Sequence, residues 1–203
     1  MSDRAYITLL AAILAPVFIW SAIDPHDFFT WLLEVLPVLI AVPLLAATYN
    51  RFRFTRLVYG LVVLHSIILI IGGHYTYALV PIGDWARDAF DLSRNHYDRV
   101  GHFAQGFIPA VVAREILLRL SPLKRGRWLF FIVVSICLAI SAFYELIEWW
   151  VAEMTGTQAE AFLGTQGDVW DSQKDMALAL IGAIVAQIAL AGVQDRQIQK
   201  LEG

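Results

Sequence analysis

The chain has 203 residues, of which 59% are hydrophobic and only 16% charged, with a formal net charge of −3 and a mean hydropathy of +0.63. A soluble domain carries nearer a quarter charged residues, so the apolar excess calls for a lipid solvent. The small net charge gives no basis for a nucleic-acid partner, and the single cysteine, Cys137, excludes an intramolecular disulfide.

An apolar stretch of about 20 residues crosses a hydrocarbon core of roughly 30 Å. Six such stretches follow in chain order, at residues 5–23, 31–48, 57–71, 97–117, 128–150 and 172–192. The first is longer than the apolar region of a signal peptide and lacks a clear small-x-small cleavage site, so it reads as a retained helix. The third is short and ends at Gly72-Gly73; the fourth and sixth open on polar residues. Spanning segments must satisfy their own backbone hydrogen bonds, which selects helices, and the alternating ten-residue segments of a barrel do not occur. The expected fold is all-α: a polytopic membrane protein, a bundle of about six transmembrane helices forming one integral membrane domain over residues 1–203.

Arg4, Arg51, Arg53, Arg56, Arg119, Lys124, Arg125, Arg127, Arg196 and Lys200 fall on one side of this arrangement. Only Arg87 and Arg94 lie in loops of the other, with Arg99 and Lys174 at helix starts. Positive residues favour the cytoplasm, which predicts cytoplasmic termini, with Asp84 and Thr157 outside. Trp20, Trp31, Trp149, Trp150 and Trp170 then gather at the outer boundary, as an aromatic belt does.

The stretch "NHYDRVGHFAQGF" (residues 95–107) opens the fourth segment with several ionisable groups. Asp98 and His102 are spaced i, i+4 and share a helical face, which Gln105 continues. Glu145 and Glu148 stand i, i+3 near the outer end of the fifth, and Asp168, Asp171 and Asp175 lead into the sixth. Three helices thus bring carboxylates to one depth. A charge at mid-bilayer costs roughly 2.5–3.5 kcal/mol, less near the interface, so clustered acids need cations or protons. Asp98, His102, Glu145, Glu148, Asp168, Asp171 and Asp175 are therefore the expected metal ligands. Carboxylates with one imidazole suit Zn, Mn, Fe or Mg, and Ca less well. The plainer reading takes each as an interfacial residue: Asp171 as a helix cap, Asp98 with Arg99 as a solvated pair.

Weaker signals surround this set. Residues 24–27 ("DPHD"), Glu34 and His74 either rim the same cavity or form turns and caps. Arg114, Glu115 and Arg119 read as snorkelling side chains, His65 as a packed core histidine, and Gly182 with Ala183 as a close helix contact.

"NHYDRVGHFAQGF", "SAFYELIEWW" and "EAFLGTQGDVWDSQKDM", together with "GGHYTY" and "DPHD", closely resemble the YjdF-like family of bacterial inner-membrane proteins, whose function is unknown. The resemblance covers nearly the whole chain and implies an inner-membrane location. A fainter similarity joins Asp98, His102-Phe103, Glu145, Asp168 and Asp171 to the pattern of VanZ-like membrane proteins, although Asp175 stands where that pattern has Asn and its glycine comes later, at Gly182. It hints at lipid or lipid-linked envelope substrates.

Gly-x-Ser-x-Gly, His-Glu-x-x-His and Walker motifs are missing. Enzymatic chemistry would fall to Glu145, Glu148 and Arg99, with a metal lowering the pKa of bound water. Three functions remain open: a metal-dependent hydrolase or binder of a lipid headgroup or envelope molecule, with membrane lipids as partners; a proton- or cation-coupled small-solute transporter; and a non-catalytic membrane assembly protein.

Overall fold

A computed structural model describes residues 1–155 and 165–202; Thr157 and the first residues of "EAFLGTQGDVWDSQKDM" lie outside them. The described residues form helices α1 (Asp3–Ser21), α2 (Phe28–Thr48), α3 (Arg56–Tyr75), α4 (Pro81–Phe90), α5 (Tyr97–Leu120), α6 (Arg127–Thr155) and α7 (Asp171–Glu202), with a 3₁₀ turn at Tyr77–Leu79. Six are long. Five of them, α1, α2, α3, α6 and α7, are long and apolar enough to cross a membrane. The sixth, α5, has 24 residues, about 36 Å at 1.5 Å per residue, but carries Asp98, Arg99, Arg114, Glu115 and Arg119. It packs on α3, α6 and most extensively α7.

The short α4 was not legible in the sequence. Ten residues cannot span, and Ile82, Trp85 and Phe90 remain exposed on it beside Asp84 and Arg87, the pattern of a helix lying in a membrane interface.

Because α6 is the return crossing, α5 and α7 run parallel. Small residues let their backbones meet: a Cβ on Gly106 would strike the Ala179 carbonyl, and one on Gly182 the Phe103 carbonyl. This contact expected for Gly182 and Ala183 is present, with Ala179 and Ala183 fully buried. It fixes the register that sets His102 beside Asp175.

Snorkelling does not describe Arg114, Glu115 and Arg119. Glu115 is fully buried; it accepts hydrogen bonds from Thr55 N (2.8 Å) and Oγ1 (2.7 Å) and from Arg119 (2.9 Å). Arg114 is also buried, donates to Gln194 (2.9 Å) and pairs with Asp195 at 2.9 Å. Snorkelling needs a path to the interface, and the α5–α7 contact closes it by turning these side chains inward.

At the opposite end, Asp27 caps α2 by accepting from Thr30 N at 2.6 Å, His26 N donates to His74 O at 2.8 Å, and Trp31 Nε1 donates to Ser21 Oγ at 3.1 Å. The "DPHD" loop and His74 therefore tie the ends of α1, α2 and α3 together. The Thr30 N–H holds the Asp27 carboxyl below the usual carboxylate range. A lowered value means that the cap contributes fully above that usual range and fades as pH falls through the lowered one. Asp27→Ala is expected to cost about 1 kcal/mol at neutral pH, and thermal melting should show the deficit shrinking toward pH 3.

Candidate functional site

Non-glycine backbone in the left-handed region opens the site. Thr76 has φ +59° and turns the chain off α3 so that Tyr77 enters the bundle, where a Cβ on Gly72 or Gly101 would overlap its ring. Those two glycines explain why "GGHYTY" and "RVGHF" carry no side chain at these points. On the far side, Asn95, fully buried, donates to Val80 O (3.0 Å) and Asp84 (3.2 Å), accepts from Tyr97 N (3.0 Å), and exchanges backbone bonds with Gln166. The Gln166 partner in both bonds is its side-chain amide, Oε1 accepting from Asn95 N and Nε2 donating to Asn95 O, so Asn95 joins α4, the start of α5 and the segment leading to α7.

Within this frame the seven expected ligands divide into two layers. Five come together. One group is Asp98, His102 and Asp175, the other His102, Glu145 and Glu148, each with ligand atoms within 4.8 Å of one another. His102 Nε2 lies 3.3 Å from Asp98 Oδ1 and His102 Nδ1 lies 3.8 Å from Glu145 Oε1. Asp98 and His102 thus face inward. Asp168 and Asp171 belong instead to an outer ion-pair layer: Arg94 meets Asp171 at 2.6 Å, while Arg99 and Lys174 meet Asp168 at 3.1 and 2.5 Å. Hydrogen bonding from Lys174 holds the Asp168 carboxyl below the usual range. Arg99, one residue from Asp98, points off the inner face toward this layer, as a 100° helical step requires.

Two further features bear on ligand binding. Glu145 Oε1 and Asp175 Oδ1 are buried and have no hydrogen-bond partner among the described residues, a costly state for carboxylates removed from water. His102 Nδ1 contacts Gln105 Oε1 at 3.0 Å; in the tautomer that donates from Nδ1, Nε2 keeps its lone pair toward Asp98, 3.3 Å away, the arrangement a metal-ligating histidine uses. Two donors on one ion at about 2.1 Å each lie at most about 4.2 Å apart, so the His102–Asp98 separation fits a shared ion.

Glu34 adds a residue that sequence reasoning left undecided. It is buried in α2 and shares a cavity with Tyr77, Asp98, His102, Tyr144 and Glu148, whereas the "DPHD" loop and His74 are structural ties. Tyr77 and Tyr144 were missed, because a tyrosine in an apolar run gives no sign of the site it faces. His65 also lines this cavity, its buried Nε2 without a hydrogen-bond partner among the described residues, so it borders a void where the sequence suggested a packed core.

No solved structure matches the chain. The chain is 50% identical over 190 residues to the inner membrane protein YjdF of Escherichia coli (strain K12), covering 94% of this chain and 91% of that one. The similarity to VanZ-like proteins rests on the short motifs alone. A family model described as "Predicted membrane protein (DUF2238)" matches residues 6–196. With both the motifs and nearly the full length in agreement, this inner-membrane protein belongs to the DUF2238 family.

Proposed function

We propose that the inner cluster binds a divalent cation through Asp98, His102 and Asp175, with Glu145 and Glu148 as further ligands or as bases, and that the cation engages the phosphate headgroup of an envelope lipid on the outer face of the membrane. The pair of unpartnered, buried carboxylate oxygens beside an oriented imidazole carries this reading. Several carboxylates packed at this spacing demand a compensating positive charge beyond Arg94, which meets Asp171 at 2.6 Å and stands 4.0 Å from Asp98. A cation supplies that charge and polarises a phosphoryl oxygen. Glu148, half-buried on the cavity wall, is placed to accept a proton from water during hydrolysis, and Arg99 to meet an anionic headgroup at the rim.

Protein purified without chelators or a polyhistidine tag should hold stoichiometric Mn²⁺ or Zn²⁺ by elemental analysis. Asp175→Asn should abolish it, and Gln105→Leu should weaken it by roughly 10–100-fold, the usual effect of losing a partner that orients a ligand. A folded protein that takes up no metal at any pH would sink the reading and leave proton transfer or ion pairing. The outward placement has its own check. Asp88, exposed on α4, replaced by cysteine should react with an impermeant thiol reagent in intact cells, while a cysteine at Arg51 should not.

A further inference from the structure

Resting on the reading of the cluster as a cation-bound headgroup site, we propose that a groove between α2 and α6 holds the tail of a phosphate-bearing lipid whose hydrocarbon chain is longer than one membrane leaflet, in the manner of a polyprenyl phosphate. The groove encloses about 650 Å³. Its walls are α2 and α6, its floor α3 and α5, with Ala41 and Ile140 on the walls and Pro109 and Ala113 on the floor. The two walls pack on the floor helices, α2 on α3 and α6 on α5. Exposed Leu44, Ile116 and Ile140 mark an edge open to lipid.

Polarity and length select the occupant. One end is the ionic cluster, with Glu34, Asp98, His102 and Glu148; the remainder is mostly aliphatic and aromatic, with Thr48, His65, Ser66 and Gln105 as its polar members. A ligand satisfying both ends is an amphiphile with its charge at that end. Along α5 the groove runs from Asp98 to Leu120, a distance of about 33 Å at 1.5 Å per residue. One leaflet is about half of a roughly 30 Å hydrocarbon core. An ordinary acyl chain anchored at the cluster would end near the midplane and leave the lower groove unfilled, whereas a longer isoprenoid chain fills it. A phosphate completes the match, since it pairs with both a hard cation and the guanidiniums of the rim.

Full-length protein in phosphatidylcholine nanodiscs, loaded with Mn²⁺, would be photo-crosslinked with a long-chain polyprenyl phosphate carrying a diazirine at its far end, or with a phosphatidic acid carrying it at the end of an acyl chain. The polyprenyl probe should label the lower groove, residues 44–48 and 116–120, and the phosphatidic acid should reach no deeper than Pro109. Ala113→Trp, and independently Ala41→Trp from the opposite wall, should cut polyprenyl labelling severalfold while leaving Mn²⁺ binding intact; Ile188→Trp on the exposed face of α7 should change neither. Labelling of the Ile188 face equal to that of the groove, indifferent to the groove tryptophans, would mean annular lipid only and overturn the proposal. So would crosslinks between two copies through α2 and α6, or deep labelling by the phosphatidic acid equal to that by the polyprenyl probe. Groove labelling that persists in Asp175→Asn without Mn²⁺ would uphold the tail site and remove the headgroup reading alone.

Discussion

Replacing Glu115 with alanine is expected to lower stability by about 3 kcal/mol, near the lower end of what breaking a buried ion pair costs. Four donors lose an acceptor together: Thr55 N, Thr55 Oγ1, Arg119 Nη1 and, at 3.4 Å, Gln194 Nε2. Arg119 retains one bond, to Arg53 O at 2.6 Å, and reaches toward Glu202 at 3.8 Å, which keeps the loss from the upper end of the range. Among the described residues the Thr55 amide bonds only Glu115. Thermal unfolding in detergent would measure the effect, with Glu115→Gln as the comparison. The amide keeps an oxygen for Thr55 N but loses the charge, so it should fall between wild type and alanine. Equal stability of Glu115→Ala and wild type would show that the network is dispensable at this end of α5.

A larger and more local effect is expected at Gly106. A Cβ there overlaps the backbone carbonyl of Ala179, and backbone cannot rotate aside as a side chain does. Gly106→Val should therefore separate α5 from α7 and cost about 3 kcal/mol or more, at or beyond the usual range for overpacking. Since the same contact sets the register of His102 against Asp175, metal binding should fall together with the yield of folded protein. Gly192→Val, where a Cβ would meet nothing closer than 3.8 Å, is the matched control and should be near neutral. If Gly106→Val melted like wild type, the close α5–α7 approach would be wrong, and the geometry of the inner cluster with it.

Six long helices were legible because spanning the hydrocarbon core imposes a run of apolar residues that needs no knowledge of neighbours. Even α5, too polar to stand as a span by composition, was visible by its apolar run after residue 102. The depth of the acidic residues was equally legible, since a helix rises by a fixed amount per residue. The interfacial α4 was not. Its ten residues alternate apolar and charged groups in a way that a surface loop shares, and only its position beside Asn95 distinguishes it.

What the sequence determined by itself is thus the all-helical membrane architecture and the convergence of Asp98, His102, Glu145, Glu148 and Asp175 at one level. What only the tertiary structure decided is which charges meet. Asp168 and Asp171 share the spacing and depth of Asp175, yet Lys174, Arg99 and Arg94 take them up, while Asp175 joins Asp98 and His102 in the inner cluster. Arg114 and Glu115 resembled residues reaching for the interface, but the parallel packing of α5 on α7 buries them in a network with Thr55, Gln194 and Asp195. Helical periodicity fixes the height and face of a side chain within its own helix. The partner across the gap depends on rotation and register between helices, and here these are set by the backbone contacts at Gly106 and Gly182, about one turn past His102 and two turns past Asp175.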